Sequence, residues 1–246
     1  MVKHVRRLSA WTMFVATLLV GCGAPPGQPG AGSVTLAPND VVEFEALYAD
    51  NCAGCHGANG RGGAAIPLAN PVYLAIVDNR SIRATIAAGV RGTSMPAFAQ
   101  RAGGMLTEKQ VDALVDGIGS RWSRPEALAG ANPPSYAATS AGDIHRGEAL
   151  YLSFCQSCHG VDGRGGPKGS AITNDSFLAL TSDQGLRTMV IAGRPELGAP
   201  DWRGYIGEIP GARGFSRAMS DQDVTDVVSW LASHRVTAPG QPYVTE

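Results

Sequence analysis

Apolar residues recur at helical spacing in two distant places: Val111, Leu114, Val115 and Ile118, and again Val224, Val227, Val228 and Leu231, each set at i, i+3, i+4 and i+7. Such a stripe predicts an amphipathic helix with one buried face. Thr107 and Ser220 stand just ahead of the two stripes, each followed by an acid, and read as helix N-caps. A third apolar segment differs in kind. Trp11 to Val20 is a largely apolar run of ten behind Lys3, Arg6 and Arg7, with no acid before it. Ten helical residues rise about 15 Å and cannot cross a hydrocarbon core of about 30 Å. Short apolar run and basic flank together make a secretory signal.

The two helical stripes close two copies of one unit. His56-Gly57 through Gly60-Arg61-Gly62-Gly63 matches His159-Gly160 through Gly163-Arg164-Gly165-Gly166 at a constant offset of 103, and Ile86-Ala87-Ala88-Gly89 matches Val190-Ile191-Ala192-Gly193 at 104. Ser123 to Gly142, rich in Pro, Ala, Ser and Gly, reads as the linker between them. Each copy carries one cysteine pair followed directly by histidine: Cys52-Ala53-Gly54-Cys55-His56 and Cys155-Gln156-Ser157-Cys158-His159. In C-x-x-C-H the two thiols are spaced to take the vinyl groups of one heme as thioethers, and the adjoining histidine reaches the iron. A redox dithiol also shows C-x-x-C, and a four-cysteine zinc site also shows two pairs. Neither needs a histidine after each pair. The expected cofactors are two covalent c-type hemes, attached at Cys52, Cys55, Cys155 and Cys158, with iron bound by His56 and His159.

Composition sharpens this picture. The chain has 246 residues, 20 Lys+Arg and 21 Asp+Glu, without long charged tracts, which argues against nucleic-acid binding and against a disordered chain. Removing Lys3, Arg6 and Arg7 with the signal leaves 17 cationic residues against 21 acidic ones, formally −4. Glycine is in excess, 32 residues or roughly twice the usual share of about 7%. It clusters after the two heme motifs and in the stretch Gly23 to Gly32, a flexible tether. The fifth cysteine has a separate reading. Leu19-Val20-Gly21-Cys22 resembles a bacterial lipobox, which implies that Cys22 carries lipid and becomes the N-terminus of an exported, periplasmic, membrane-anchored protein.

From about residue 38 to 236 the chain resembles class I cytochromes c, twice over. The resemblance implies an all-α fold of tandem cytochrome c domains, each a few helices around one heme. The expected organisation is a lipoprotein signal peptide at 1–21, a tether at 22–37, a first domain at 38–122, a linker at 123–142, a second domain at 143–236 and a tail at 237–246. In that family a glycine on the first helix, eight residues before the first heme cysteine, lets an aromatic of the last helix pack close. Gly147 and Trp230 fit, whereas the corresponding first-copy residues are Phe44 and Gly117. We expect large and small to be exchanged across one helix crossing.

The sixth iron ligand separates the copies. Gly92-Thr93-Ser94-Met95-Pro96 resembles the family's Met-Pro loop and makes Met95 the first candidate, with Met105 the alternative. In the second copy the 104 offset puts Ala199-Pro200 opposite Met95-Pro96, and alanine cannot bind iron. About nine residues are inserted between Trp202 and the last helix, and Met219, aligned with Leu106, follows the insertion. Met219 is then either a re-aimed ligand or a core residue under the helix cap, and the second iron is either His/Met or open. Met189 aligns with Thr85 and reads as core, while His145 and His234 read as surface residues.

Two functions follow. A membrane-tethered diheme electron carrier, serving a respiratory complex, terminal oxidase or dehydrogenase, uses both motifs and the Met95 loop. A peroxidase-like enzyme, or one oxidising small sulfur or nitrogen compounds, would use an open second heme. With only Lys3, Lys109 and Lys168 present, a lysine docking ring is excluded, and Arg194, Arg203, Arg213 and Arg217 are the cations available to a redox partner.

Overall fold

The computed structural model describes residues 36–205 and 215–236. The signal, Cys22, most of the tether, residues 206–214 of the insertion with Arg213, and the C-terminal tail lie outside the described residues. Among the described residues there is no strand, and the chain is a succession of helices. No helix among them is long and apolar enough to cross a membrane.

The first module comprises α1 (Phe44–Asn51), α2 (Ala53–His56), α3 (Pro71–Ile76), α4 (Asn79–Ala88) and α5 (Glu108–Trp122). The second repeats it as α6 (Ile144–Phe154), α7 (Gln156–His159), α8 (Asp175–Leu180), α9 (Asp183–Ala192) and α10 (Asp221–Ser233). The helix starts are chemically matched. Thr107 and Ser220 each form a capping box, with Gln110 and Asp223 as reciprocal partners. Asn70 and Asn174 cap α3 and α8, and Asp78 and Ser182 cap α4 and α9. All eight residues of the two apolar stripes are buried in the core.

In each module the first helix crosses the last, and the crossing depends on a glycine. A Cβ added to Gly147 of α6 would lie 2.1 Å from the Asp226 carbonyl oxygen and 2.8 Å from Trp230 Cβ. The first module has the expected exchange: a Cβ on Gly117 of α5 would lie 2.0 Å from the Phe44 ring. The indole lost from position 117 is supplied by Trp122 instead, which meets the Tyr48 ring edge-on at 5.1 Å, where Trp230 stacks on Tyr151 at 4.2 Å.

The connecting stretch is fastened to the second module rather than free. Buried Arg187 of α9 donates to the Ser135 carbonyl (3.0 Å), to Thr225 (2.9 Å) and to Asp221 (2.5 Å), and Gln184 donates to the Tyr136 carbonyl at 2.7 Å. The segment's Pro, Ala, Ser and Gly content reads as a linker, and the structure pins that linker down. Its exposed backbone groups are satisfied by long side chains of α9 and α10.

Candidate heme centres

Each C-x-x-C-H motif folds as one helical turn that starts where the preceding helix ends. Cys52 closes α1 and opens α2, and its carbonyl accepts from Cys55 N (3.2 Å) and His56 N (3.0 Å). Cys155 does the same for Cys158 (3.1 Å) and His159 (3.0 Å). Residues three apart on a helix share a face, so one turn presents both thiols of a pair to the same side.

The histidines are fixed in one orientation. His56 Nδ1 donates to the Ile66 carbonyl and His159 Nδ1 to the Ser170 carbonyl, both at 2.7 Å. A carbonyl only accepts, so Nδ1 carries the proton and Nε2 keeps its lone pair for a metal. Burial holds His56 neutral by lowering its pKa, against the opposing pull of the Ile66 bond. A ligating histidine must be neutral.

The loops after the motifs pack onto these turns. A Cβ on Gly63 would lie 2.1 Å from the Cys55 carbonyl oxygen, and one on Gly166 would lie 2.3 Å from that of Cys158. Much of the glycine excess therefore serves close backbone approach. Two tyrosines that the sequence reading passed over complete each site. Tyr48 donates its hydroxyl to the Gly57 carbonyl at 2.8 Å, and Tyr151 donates to that of Gly160. Both stand four residues before the first cysteine, and the 103 offset that exposed the repeat also relates them.

Thiol chemistry separates these turns from a redox dithiol. Burial first, and the neighbouring Cys55 second, push the Cys52 thiol up to about 11; burial and then Cys158 push Cys155 up to about 12. A reactive dithiol needs the opposite shift. Nor do the pairs meet in one zinc site, since no group of three or more His, Cys, Asp or Glu residues comes together among the described residues. Two same-faced thiols and an imidazole anchored through Nδ1 per turn fit a c-type heme in both modules.

On the distal side the backbone confirms the sequence register. Val90 N donates to Met95 O at 2.9 Å, and Arg194 N donates to Ala199 O at 3.0 Å. Gly89 and Gly193, at φ +66° and +64°, turn the chain beneath these loops, where a Cβ would lie 2.5 Å from Pro96 or Pro200 backbone atoms. Ala199 therefore occupies the backbone station of Met95. Met105 is 76% exposed, whereas Met95 is half-buried on a loop that the Thr93 hydroxyl steadies by accepting from Met95 N at 3.1 Å. Beyond the insertion, Met219 N donates to Trp202 O at 2.8 Å, as Leu106 N donates to Phe98 O at 2.7 Å. Met219 thus holds the station of Leu106; the two are 3% and 5% exposed. Met189 is half-buried against the core within α9, and His234 is half-buried too, its Nδ1 donating to the Trp230 carbonyl at 2.8 Å with the two rings 4.5 Å apart.

Of the four arginines offered to a redox partner, the three among the described residues are engaged within the chain. Arg203 pairs with Asp201 (2.6 Å), lies 4.5 Å and 4.7 Å from the rings of Trp202 and Tyr205, and donates to Ala127 O. Arg217 pairs with Asp223 at 2.6 Å and stacks on Phe154. Arg194 pairs with Glu196 at 2.9 Å and donates to Gly63 O.

Residues 144–235 match the family "Cytochrome c", and residues 39–116 match "Cytochrome C oxidase, cbb3-type, subunit III". The chain is a c-type cytochrome with two heme-binding domains, and two covalent hemes are its cofactors. It is similar to the Cbb3-type cytochrome c oxidase subunit CcoP of Azospirillum sp., with 33% identity over 49% of this chain and 43% of the relative. A cytochrome bc1 complex cytochrome c subunit of Mycobacterium tuberculosis is 26% identical over 76% of this chain and 68% of that protein. The chain spans about half the length of the oxidase subunits it matches. Among solved structures, the Kuenenia stuttgartiensis reducing HAO-like protein complex is similar at a TM-score of 0.42 and 21% identity, covering 82% of this chain and 100% of that one. A likeness of that size carries no inference about activity.

Proposed function

We propose that this protein is an exported, lipid-tethered diheme carrier that passes single electrons between redox proteins of a respiratory chain, on the periplasmic side of a membrane. Each heme, when bound, supplies a one-electron iron couple. The chain's own residues do the rest. Cys52 with Cys55, and Cys155 with Cys158, hold the two groups. His56 and His159 leave Nε2 to the iron, because the Ile66 and Ser170 carbonyls hold Nδ1–H. Met95 serves the first site on its steadied loop, and Met219 is the only Met, His, Cys or Lys between residues 195 and 233 to serve the second. Held between two donors of the chain, each group would change charge with little rearrangement of the protein.

One observation carries the reading: the histidine anchor recurs with the same atoms and the same 2.7 Å distance behind two thiol pairs. The respiratory assignment draws support from the oxidase and bc1 subunits named above, and the tether from the residues before Cys22. Reduced full-length protein mixed with membranes containing a cbb3-type oxidase should be oxidised with matching oxygen uptake. No oxidation there, with rapid oxidation by peroxide alone, would overturn the carrier.

A second reading rests on Ala199. With alanine at the station of Met95 and Met219 at that of Leu106, the second site would be open and act on peroxide or a small sulfur or nitrogen compound. Ligand binding to the reduced protein separates the two.

A further inference from the structure

The two modules meet through side chains that also belong to the heme-bearing loops. Asn70, 3% exposed, faces both ways. Its Oδ1 accepts from Val72 N (2.9 Å) and Tyr73 N (3.1 Å), capping α3 of the first module. Its Nδ2 donates to the Ala192 carbonyl at 3.0 Å, where α9 of the second module ends and leaves carbonyls without helical partners. One amide therefore caps the start of one helix and the end of another, 122 residues away.

The residue after this junction makes the return contact. Arg194 Nη2 donates to the Gly63 carbonyl at 2.9 Å, and Gly63 lies against the Cys55 carbonyl. The backbone of Arg194 meanwhile exchanges both hydrogen bonds with Ala199, at 3.0 Å each, in the distal loop of the second site. The neighbours of Asn70 are tied to the first site as well, because Ala69 N donates to Gly60 O (3.0 Å) and Arg61 donates to Ala69 O (2.9 Å). One side-chain hydrogen bond thus separates the cysteine turn of the first site from the distal loop of the second.

The repeat shows that this linkage is not a by-product of the fold. Asn174, the counterpart of Asn70, caps α8 through the same two bonds but is exposed. Val90, the counterpart of Arg194, has no polar side chain. The caps are duplicated and the bridge is single.

We propose that Asn70 and Arg194 are positioning residues that lock the cysteine turn of the first site to the distal loop of the second and provide the route for electron exchange between the sites. This rests on the carrier reading. In the step one electron leaves the reduced site and arrives at the oxidised one, so that one iron is oxidised and the other reduced, with no bond made or broken and no proton moved. A fixed hydrogen-bonded junction holds the two sites at one separation, whereas undocked modules would exchange only when they met.

The test uses the full-length diheme protein. Asn70→Asp keeps an oxygen to cap α3 but loses the donor and turns a carboxylate toward the α9 carbonyls. Arg194→Met keeps the stem and loses the donor, and Arg194→Lys restores one. Inter-heme equilibration after sub-stoichiometric reduction should slow in Asn70→Asp and Arg194→Met and recover in Arg194→Lys. Protease cleavage within 123–142 should rise about fivefold with each lost hydrogen bond. The absorption spectra and midpoint potentials of both hemes should stay as in wild type. Unchanged equilibration in both variants overturns the bridge. So does slowing accompanied by shifted spectra or potentials, which would place the effect inside a heme site. The carrier reading fails separately, through wild-type protein that no oxidase oxidises.

Discussion

The ring of Phe44 occupies the space that a side chain on Gly117 would need, so the first module solves its helix crossing with the large and small partners reversed relative to Gly147 and Trp230. The neighbours differ in kind. Gly117 faces a side chain, flanked by Tyr48 and Trp122 at ring distances of 5.4 Å, whereas Gly147 faces the Asp226 backbone carbonyl. Gly117→Ala should cost about 1–3 kcal/mol, the usual range for overpacking. Gly147→Ala should cost more, because a ring can rotate and a helix carbonyl cannot. Chemical denaturation of the two variants measures the order.

Tyr48 and Tyr151 perform one task in two places, tying the first helix to the residue after each heme histidine. Tyr48→Phe and Tyr151→Phe should each lose about 0.5–1.5 kcal/mol, the net worth of one hydrogen bond. Urea unfolding should give losses of similar size in the two variants. A loss in one alone would mean that the repeat is not energetically equivalent at this position.

Asp223 links the α10 capping box to Arg217. Burial works against its ionisation, but bonds from Arg217 and Ser220 outweigh burial and hold the carboxyl below the ordinary 3.8. Its folded-state pKa is therefore depressed relative to the unfolded chain. The stabilisation is fully present above the unfolded value and is lost as pH falls through the folded one. Asp223→Asn should flatten the acid limb of a stability-against-pH curve below about pH 4. A limb as steep as wild type would remove Asp223 from the account.

The proposed lipid on Cys22 predicts a simple fractionation result. Wild-type protein should sediment with membranes and leave them with detergent, and Cys22→Ala should appear in the soluble periplasmic fraction with both hemes attached. Membrane retention of the variant would mean that something other than Cys22 holds it.

Much of the site was legible from local signals. C-x-x-C-H is contiguous, and one helical turn imposes its geometry. The stripes ending at Ile118 and Leu231 carry a helical period, and Thr107 and Ser220 announce their helices. Even the distal register was readable, because Gly89 and Gly193 anchor an ungapped alignment that the bonds to Met95 and Ala199 reproduce. What escaped has no period. Asn70 looks like any helix cap, and its second partner lies 122 residues on. Arg194 reads as a free cation because its acceptor Gly63 lies 131 residues away, whereas Arg203 and Arg217 have Asp201 and Asp223 close in sequence, a proximity that does not by itself reveal pairing. The 123–142 stretch reads as loose because its anchors, Arg187 and Gln184, belong to a helix much further along.

The most direct test of two filled axial sites is the absorption spectrum of the ferric and the reduced full-length protein, with carbon monoxide added to the reduced form. Two low-spin hemes unmoved by the gas are the expected result, with Met95→Ala and Met219→Ala each opening one site to it. A wild-type protein in which half the heme is high-spin and binds carbon monoxide would contradict the carrier and assign the second site, beside Ala199, to catalysis.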